Sequence, residues 1–97
     1  MTRAAAKSLL QEARSKGYAL GAFNCVNLET AQAIVRAAEL EEKAVILQIS
    51  ENAARYAGLE VLFAVARVLR DEANVPVILH YDHAESLESA ERALSLG

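Results

Sequence analysis

Three features of the 97-residue sequence predict an α/β fold built on a parallel sheet. Short aliphatic runs alternate with longer amphipathic segments, and each run breaks off into polar residues. The strand-then-helix unit recurs about every 30 residues, the length of a βαβ repeat, whose parallel strands are joined by right-handed crossovers.

The elements follow in order. Thr2 to Lys16 reads as a helix capped by Thr2, with Ala6, Leu9, Leu10 and Ala13 at helical spacing and Gly17 placed to end it. Tyr18 to Asn24 reads as the first strand, centred on Leu20-Gly21-Ala22-Phe23, and the polar turn from Asn24 to Asn27 leads to an N-cap at Asn27. A helix from Leu28 to Glu42 carries Leu28, Ala31, Ile34, Val35 and Ala38 on one face. Ala44 to Ser50 is the second strand, again ending in polar residues. Glu51 to Gly58 reads as a loop or single helical turn, and Leu59 to Ala73 as a helix with Leu62, Phe63, Ala66 and Leu69 as its buried stripe. The third strand, Val77-Ile78-Leu79, has the β-branched and aliphatic character of a strand buried on both faces, with Pro76 tolerable at its start. Ser86 is placed to cap a last helix in which Leu87, Ala90 and Leu94 face inward.

Three strands with both edges open would be a poor endpoint for a parallel sheet, whereas a TIM (β/α)8 barrel of about 250 residues contains such a piece. The chain is therefore read as the N-terminal segment, residues 1–97, of a single barrel domain that these residues leave incomplete.

Composition narrows the function classes. A net charge of -3 with scattered Lys and Arg gives no basic stripe for nucleic acid or an acidic membrane. No apolar run approaches the roughly 20 residues of a membrane span, so a cytoplasmic location is expected. The lone Cys25 forms no intrachain disulfide and reads as a packing residue. Lys7, Lys16 and Lys43 fall in the first helix or ahead of the second strand, so no lysine stands at a strand's carboxyl end to act as a Schiff-base nucleophile.

The densest chemistry is His80-Tyr81-Asp82-His83, directly after the third aliphatic run. Polar residues at the carboxyl ends of parallel strands lie where α/β proteins hold ligands. With a side-chain period of two, His80 and Asp82 share a face, and His83 joins Asp82 only if the chain bends at the strand end. A bland alternative stands beside this one: the triplet solvates a strand terminus and leads into the next helix. Gln48, which could reach the barrel interior from its strand, is read instead as a satisfied core amide, and the Glu-rich helix faces, Glu85 included, as solvated surface and caps.

The stretch His80-Tyr81-Asp82-His83-Ala84 resembles the His-x-Asp-His signature of class II, zinc-dependent ketose-bisphosphate aldolases, in which Gly is commonest at the last position and Ala also occurs. Gly21-Ala22-Phe23-Asn24 with Asn27-Leu28-Glu29 resembles the family's first strand and turn, and Val45 to Glu51 its second. The resemblance implies the following roles. Asp82 matches the general acid/base that exchanges a proton with the C4 hydroxyl of the ketose, and His83 matches a zinc ligand. Ser50 matches a serine that contacts substrate, with a helix or turn cap as the alternative. Asn24 matches a polar residue lining the same face, with a turn residue as the alternative, and His80 would support the acid by hydrogen bonding.

The implied reaction is zinc-dependent cleavage of a fructose or tagatose 1,6-bisphosphate to dihydroxyacetone phosphate and a triose phosphate, with cobalt or manganese as possible substitutes for zinc. The resemblance also implies a homo-oligomer. The family's other zinc ligands, a Glu and two His, and its glycine-rich phosphate loops would fall after Gly97, so the 97-residue chain alone is expected to be inactive. The competing expectation is a non-catalytic α/β protein that self-associates through its open sheet edges and binds metal weakly or not at all.

Overall fold

The computed structural model describes residues 3–97, so the expected Thr2 cap lies outside the described residues. The order is α1 (Arg3–Lys16), β1 (Ala22–Asn24), α2 (Leu28–Glu41), β2 (Val45–Ser50), α3 (Glu51–Ala57), α4 (Leu59–Glu72), β3 (Val77–Asp82) and α5 (Leu87–Ser95). The strands form one parallel sheet in the order β1-β2-β3.

Each boundary has a local cause. Gly17, at φ +77°, ends α1 as its position predicts. Asn27 caps α2 by accepting from the Thr30 backbone N–H at 2.9 Å, while the Thr30 hydroxyl closes a reciprocal capping box. Ser86 and Ser89 build the same device at α5. β1 is shorter than the expected Tyr18–Asn24 strand, yet its pairing continues on both sides: Ile46 N–H donates to the Gly21 carbonyl at 2.9 Å and Cys25 N–H to the Gln48 carbonyl at 3.0 Å.

The core lies between one face of the sheet and the helices α2 and α4. Val45, Leu47, Ile49 and Val77 meet Ala31, Val35 and Ala38 of α2 and Leu59, Leu62 and Ala66 of α4. The small alanines let the helices approach the sheet closely, and Leu47 and Leu62 are essentially sealed from solvent. Cys25 is fully buried in this core, and burial raises its thiol pKa, as suits a packing residue.

Four expectations change. Glu51–Ala57 is a helix of seven residues, not a loop or single turn, because Ser50 caps it and Gly58, at φ +90°, separates it from α4. The stripe on α5 does not face inward: Leu87 and Leu94 are exposed, since among the described residues no further strand or helix covers that side of β3. Leu10 and Leu28 are likewise exposed although their helices form as expected; Ala13 of α1 and Ala31, Val35 and Ala38 of α2 supply the buried contacts. The strands are not uniformly buried either: β2 alternates between buried and half-buried positions, and β1, at the edge, is exposed throughout.

Candidate active site

Alternation along the strands places Ala22, Asn24, Ile46, Gln48, Ser50, Ile78, His80 and Asp82 on the face opposite the α2 and α4 contacts. Its amino half is apolar. Its carboxyl half gathers nearly every candidate residue into two registered rows: Asn24, Gln48 and His80 pair across all three strands, and Ser50 pairs with Asp82 one step further on.

The first row is hydrogen-bonded side chain to side chain. Gln48 Nε2 donates to Asn24 Oδ1 at 2.8 Å, and Gln48 Oε1 lies 3.0 Å from His80 Nδ1. Gln48, read from the sequence as a core amide, is thus half-buried on the candidate face and joins two site residues. The Asn24 and His80 readings did not anticipate this link, because it depends on strand register, although the in-phase position of the three polar residues at strand ends was the available signal.

In the second row, the Ser50 hydroxyl accepts from the Ala53 backbone N–H at 3.1 Å and so caps α3, the role set beside its substrate contact. One hydroxyl can do both, since its proton remains free to donate. Asp82 closes β3, and the backbone turns at once: His83 adopts the left-handed region at φ +56°. This is the bend that alternation required. It brings His83 Nε2 to 3.5 Å from Asp82 Oδ2, with the imidazole 85% exposed and the carboxylate 27% exposed. Asp82 and His83 therefore stand together at the carboxyl edge of the sheet.

Behind this edge is a network that the sequence reading missed. The Tyr81 hydroxyl donates to Glu51 Oε1 at 3.2 Å, and Arg55 spans Glu51 at 3.3 Å and both oxygens of Glu85 at 2.9 Å, with Asn52 also in contact. Arg55 and Glu85 form a bidentate pair that ties α3 to the turn after His83. Glu51 is buried, and its carboxyl is held below the ordinary value, chiefly by the Ser89 hydroxyl with Glu85 and Tyr81 adding, against the opposing effect of burial. Burial is the main cause raising the Tyr81 phenol, with the Glu51 charge adding to it. Glu85, taken as a solvated acid, is instead a tether. The i,i+4 spacing of Glu51 and Arg55 was visible, but the 30-residue reach to Glu85 was not.

A zinc ion needs about three protein ligands in a catalytic site. His83 offers an accessible imidazole beside a carboxylate, which fits one ligand of such a set. Among the described residues no group of three or more His, Cys, Asp or Glu side chains could hold a metal by themselves.

A parallel sheet with its polar residues collected at the carboxyl ends of the strands has the layout of a TIM-barrel enzyme. The family model described as "Fructose-bisphosphate aldolase class-II" matches residues 4–97. A probable fructose-bisphosphate aldolase of Bacillus subtilis (strain 168) is 46% identical over 92 residues, covering 92% of this chain and 32% of its own. A sulfofructosephosphate aldolase of Alkalicoccus urumqiensis is 35% identical over 91 residues, covering 94% of this chain and 32% of its own. The crystal structure of the YdjI aldolase from Escherichia coli K12 superimposes with a TM-score of 0.85 at 30% identity, over 90% of this chain and 34% of that one. The chain belongs to the class II fructose-bisphosphate aldolase family. It spans about a third of the length of these relatives.

Proposed function

We propose that this chain is the N-terminal segment of a class II aldolase barrel, one that cleaves and forms the C3–C4 bond of a ketose 1,6-bisphosphate. The observation that supports this reading most is the turn at His83, which sets an exposed imidazole 3.5 Å from the Asp82 carboxylate at the carboxyl edge of β3.

Asp82 is the proton-transfer group. In the cleavage direction its carboxylate accepts the C4 hydroxyl proton as the C3–C4 bond breaks, and in condensation it returns that proton to the new hydroxyl. Its partial exposure leaves it open to a sugar while β3 holds its backbone in register with Ser50. His83 is a zinc ligand; a bound zinc, or another divalent ion, supplies Lewis-acid polarisation of the ketose carbonyl. Ser50 donates its hydroxyl proton to substrate while its oxygen caps α3, and Asn24 presents its amide on the same face. The partners are a ketose bisphosphate and dihydroxyacetone phosphate, and the complete barrel is a homo-oligomer.

The test is to replace the matching third of the Bacillus subtilis relative with this chain and couple triose-phosphate release to a dehydrogenase. Zinc-dependent turnover is expected, falling at least about 100-fold in Asp82→Ala, within the range general acid–base groups contribute. Equal turnover in the parent chimera and Asp82→Ala would defeat the assignment. The 97-residue chain alone, supplied with zinc and substrate, is expected to give no turnover.

The alternative, a non-catalytic chain that self-associates, draws support from one specific feature. Beside the open edge of β1, Tyr18, Leu20, Phe23, Ile34 and Ala37 line an apolar groove.

A further inference from the structure

We propose that Gln48 is a positioning residue that fixes neutral His80 in the Nδ1–H tautomer, so that the ring presents a bare Nε2 acceptor on the face shared with Asp82. The inference comes from the direction of the row Asn24–Gln48–His80. A primary amide has one donor end and one acceptor end. Gln48 spends its donor end on Asn24 Oδ1, at 2.8 Å, which turns its Oε1 toward His80. A carbonyl oxygen only accepts, so at 3.0 Å the His80 Nδ1 must carry the proton and donate it.

This is a consequence for the whole ring. A neutral imidazole has a single N–H, so protonating Nδ1 leaves Nε2 with its lone pair. The neutral side chain in water favours the other tautomer, Nε2–H, and the Gln48 carbonyl reverses that preference. His80 is exposed, so the lone pair stays reachable by a ligand. A group that accepts and does not donate selects hydroxyls over carbonyls and phosphate oxygens. On the aldolase reading above, on which this last step rests, the hydroxyl belongs to the sugar.

Three-strand register makes the device possible. Gln48 is the ladder partner of Asn24 on one side and of His80 on the other, so the three side chains stand in one row and the amide bridges both neighbours. With the Asn24 oxygen accepting from Gln48, turning the Gln48 amide over by itself would break both bonds.

The experiment needs neither metal nor sugar, so its outcome is separate from that of the aldolase assignment. Long-range 1H–15N correlation spectra of the 97-residue chain, at a pH where the ring is neutral, distinguish protonated from bare ring nitrogens, and His83 gives an internal reference. For His80 the Nδ1 resonance is expected in the protonated range and Nε2 in the downfield, unprotonated range. Gln48→Leu is expected to return the ring to the solution-like mixture dominated by Nε2–H. Gln48→Glu, whose carboxylate still accepts from Nδ1, is expected to keep the wild-type pattern. Nε2–H as the main form in the wild-type chain overturns the proposal, because the row would then run in the opposite direction. So does a Gln48→Leu spectrum identical to wild type. If Gln48→Leu does not fold, the wild-type and Gln48→Glu spectra still decide it.

Discussion

His83 carries two demands on one residue: an imidazole in reach of Asp82 and a backbone in the left-handed region. That region costs a residue with a Cβ about 1 kcal/mol or more, and a β-branched side chain suffers most. His83→Gly is therefore expected to unfold at equal or higher urea concentration than the parent, by up to about 1 kcal/mol, whereas His83→Val loses about 1–2 kcal/mol. Both would lack the proposed metal ligand, so stability and the metal binding proposed for this position separate in the glycine variant. Ser50 allows a similar separation. Ser50→Ala removes the α3 cap and should cost about 1 kcal/mol in urea unfolding, while Ser50→Asp retains an acceptor and should recover most of it. A Ser50→Ala chain as stable as the parent would show that the cap is not what the hydroxyl is for. The pattern His-x-Asp-His was legible in the sequence because it is local; the φ of +56° that makes it usable was only a condition the spacing imposed.

At the scale of elements, α3 is the difference between expectation and structure. Read as a loop, it would leave the carboxyl end of β3 unsupported. As a helix it projects Glu51 into the protein and Arg55 outward, where they hold Tyr81 and Glu85 on either side of Asp82 and His83. Glu51 predicts a pH dependence. Its folded carboxyl lies below the ordinary value of 4.5, so it contributes stability while pH stays above the unfolded value. That contribution is lost as pH falls from about 4.5 through the lower folded value. Glu51→Gln is thus expected to be less stable than the parent near neutrality, with the gap closing below about pH 4.5. Urea unfolding of both chains across that range checks it, and a gap that widens with acidification would contradict it. Helix periodicity located α2 and α4, and most of each predicted stripe turns toward the core, with Ala31, Val35 and Ala38 of α2 and Leu62 and Ala66 of α4 buried and Leu28 left exposed. It misjudged α5, because Leu87 and Leu94 are apolar whether or not a neighbour covers them.

At the scale of the whole molecule, the sheet formed by the described residues presents two unpaired edges and a polar carboxyl rim. Unpaired backbone N–H and C=O groups on β1 and β3 invite pairing with another chain. Phe23, 53% exposed on the edge strand, and the groove beside it add apolar area to that edge. The 10.5 kDa chain is expected to sediment above its monomer mass with increasing concentration, and Phe23→Lys should shift it back toward monomer. A chain that remains monomeric up to high concentration would remove the support for the self-associating alternative.

Apart from α3, the order of elements, the parallel sheet and the strand-end position of Asp82 and His83 were determined by the sequence, because each rests on short-range patterns: a period of two or 3.6, a capping residue, a run of β-branched side chains. The family followed from motifs of the same local kind. Only the tertiary structure decided which polar residues meet. Register across β1, β2 and β3 aligned Asn24, Gln48 and His80, and a seven-residue helix carried Arg55 to Glu85. Those pairings join residues 24 to 32 positions apart, and no periodicity within a single element encodes which partner stands across a gap.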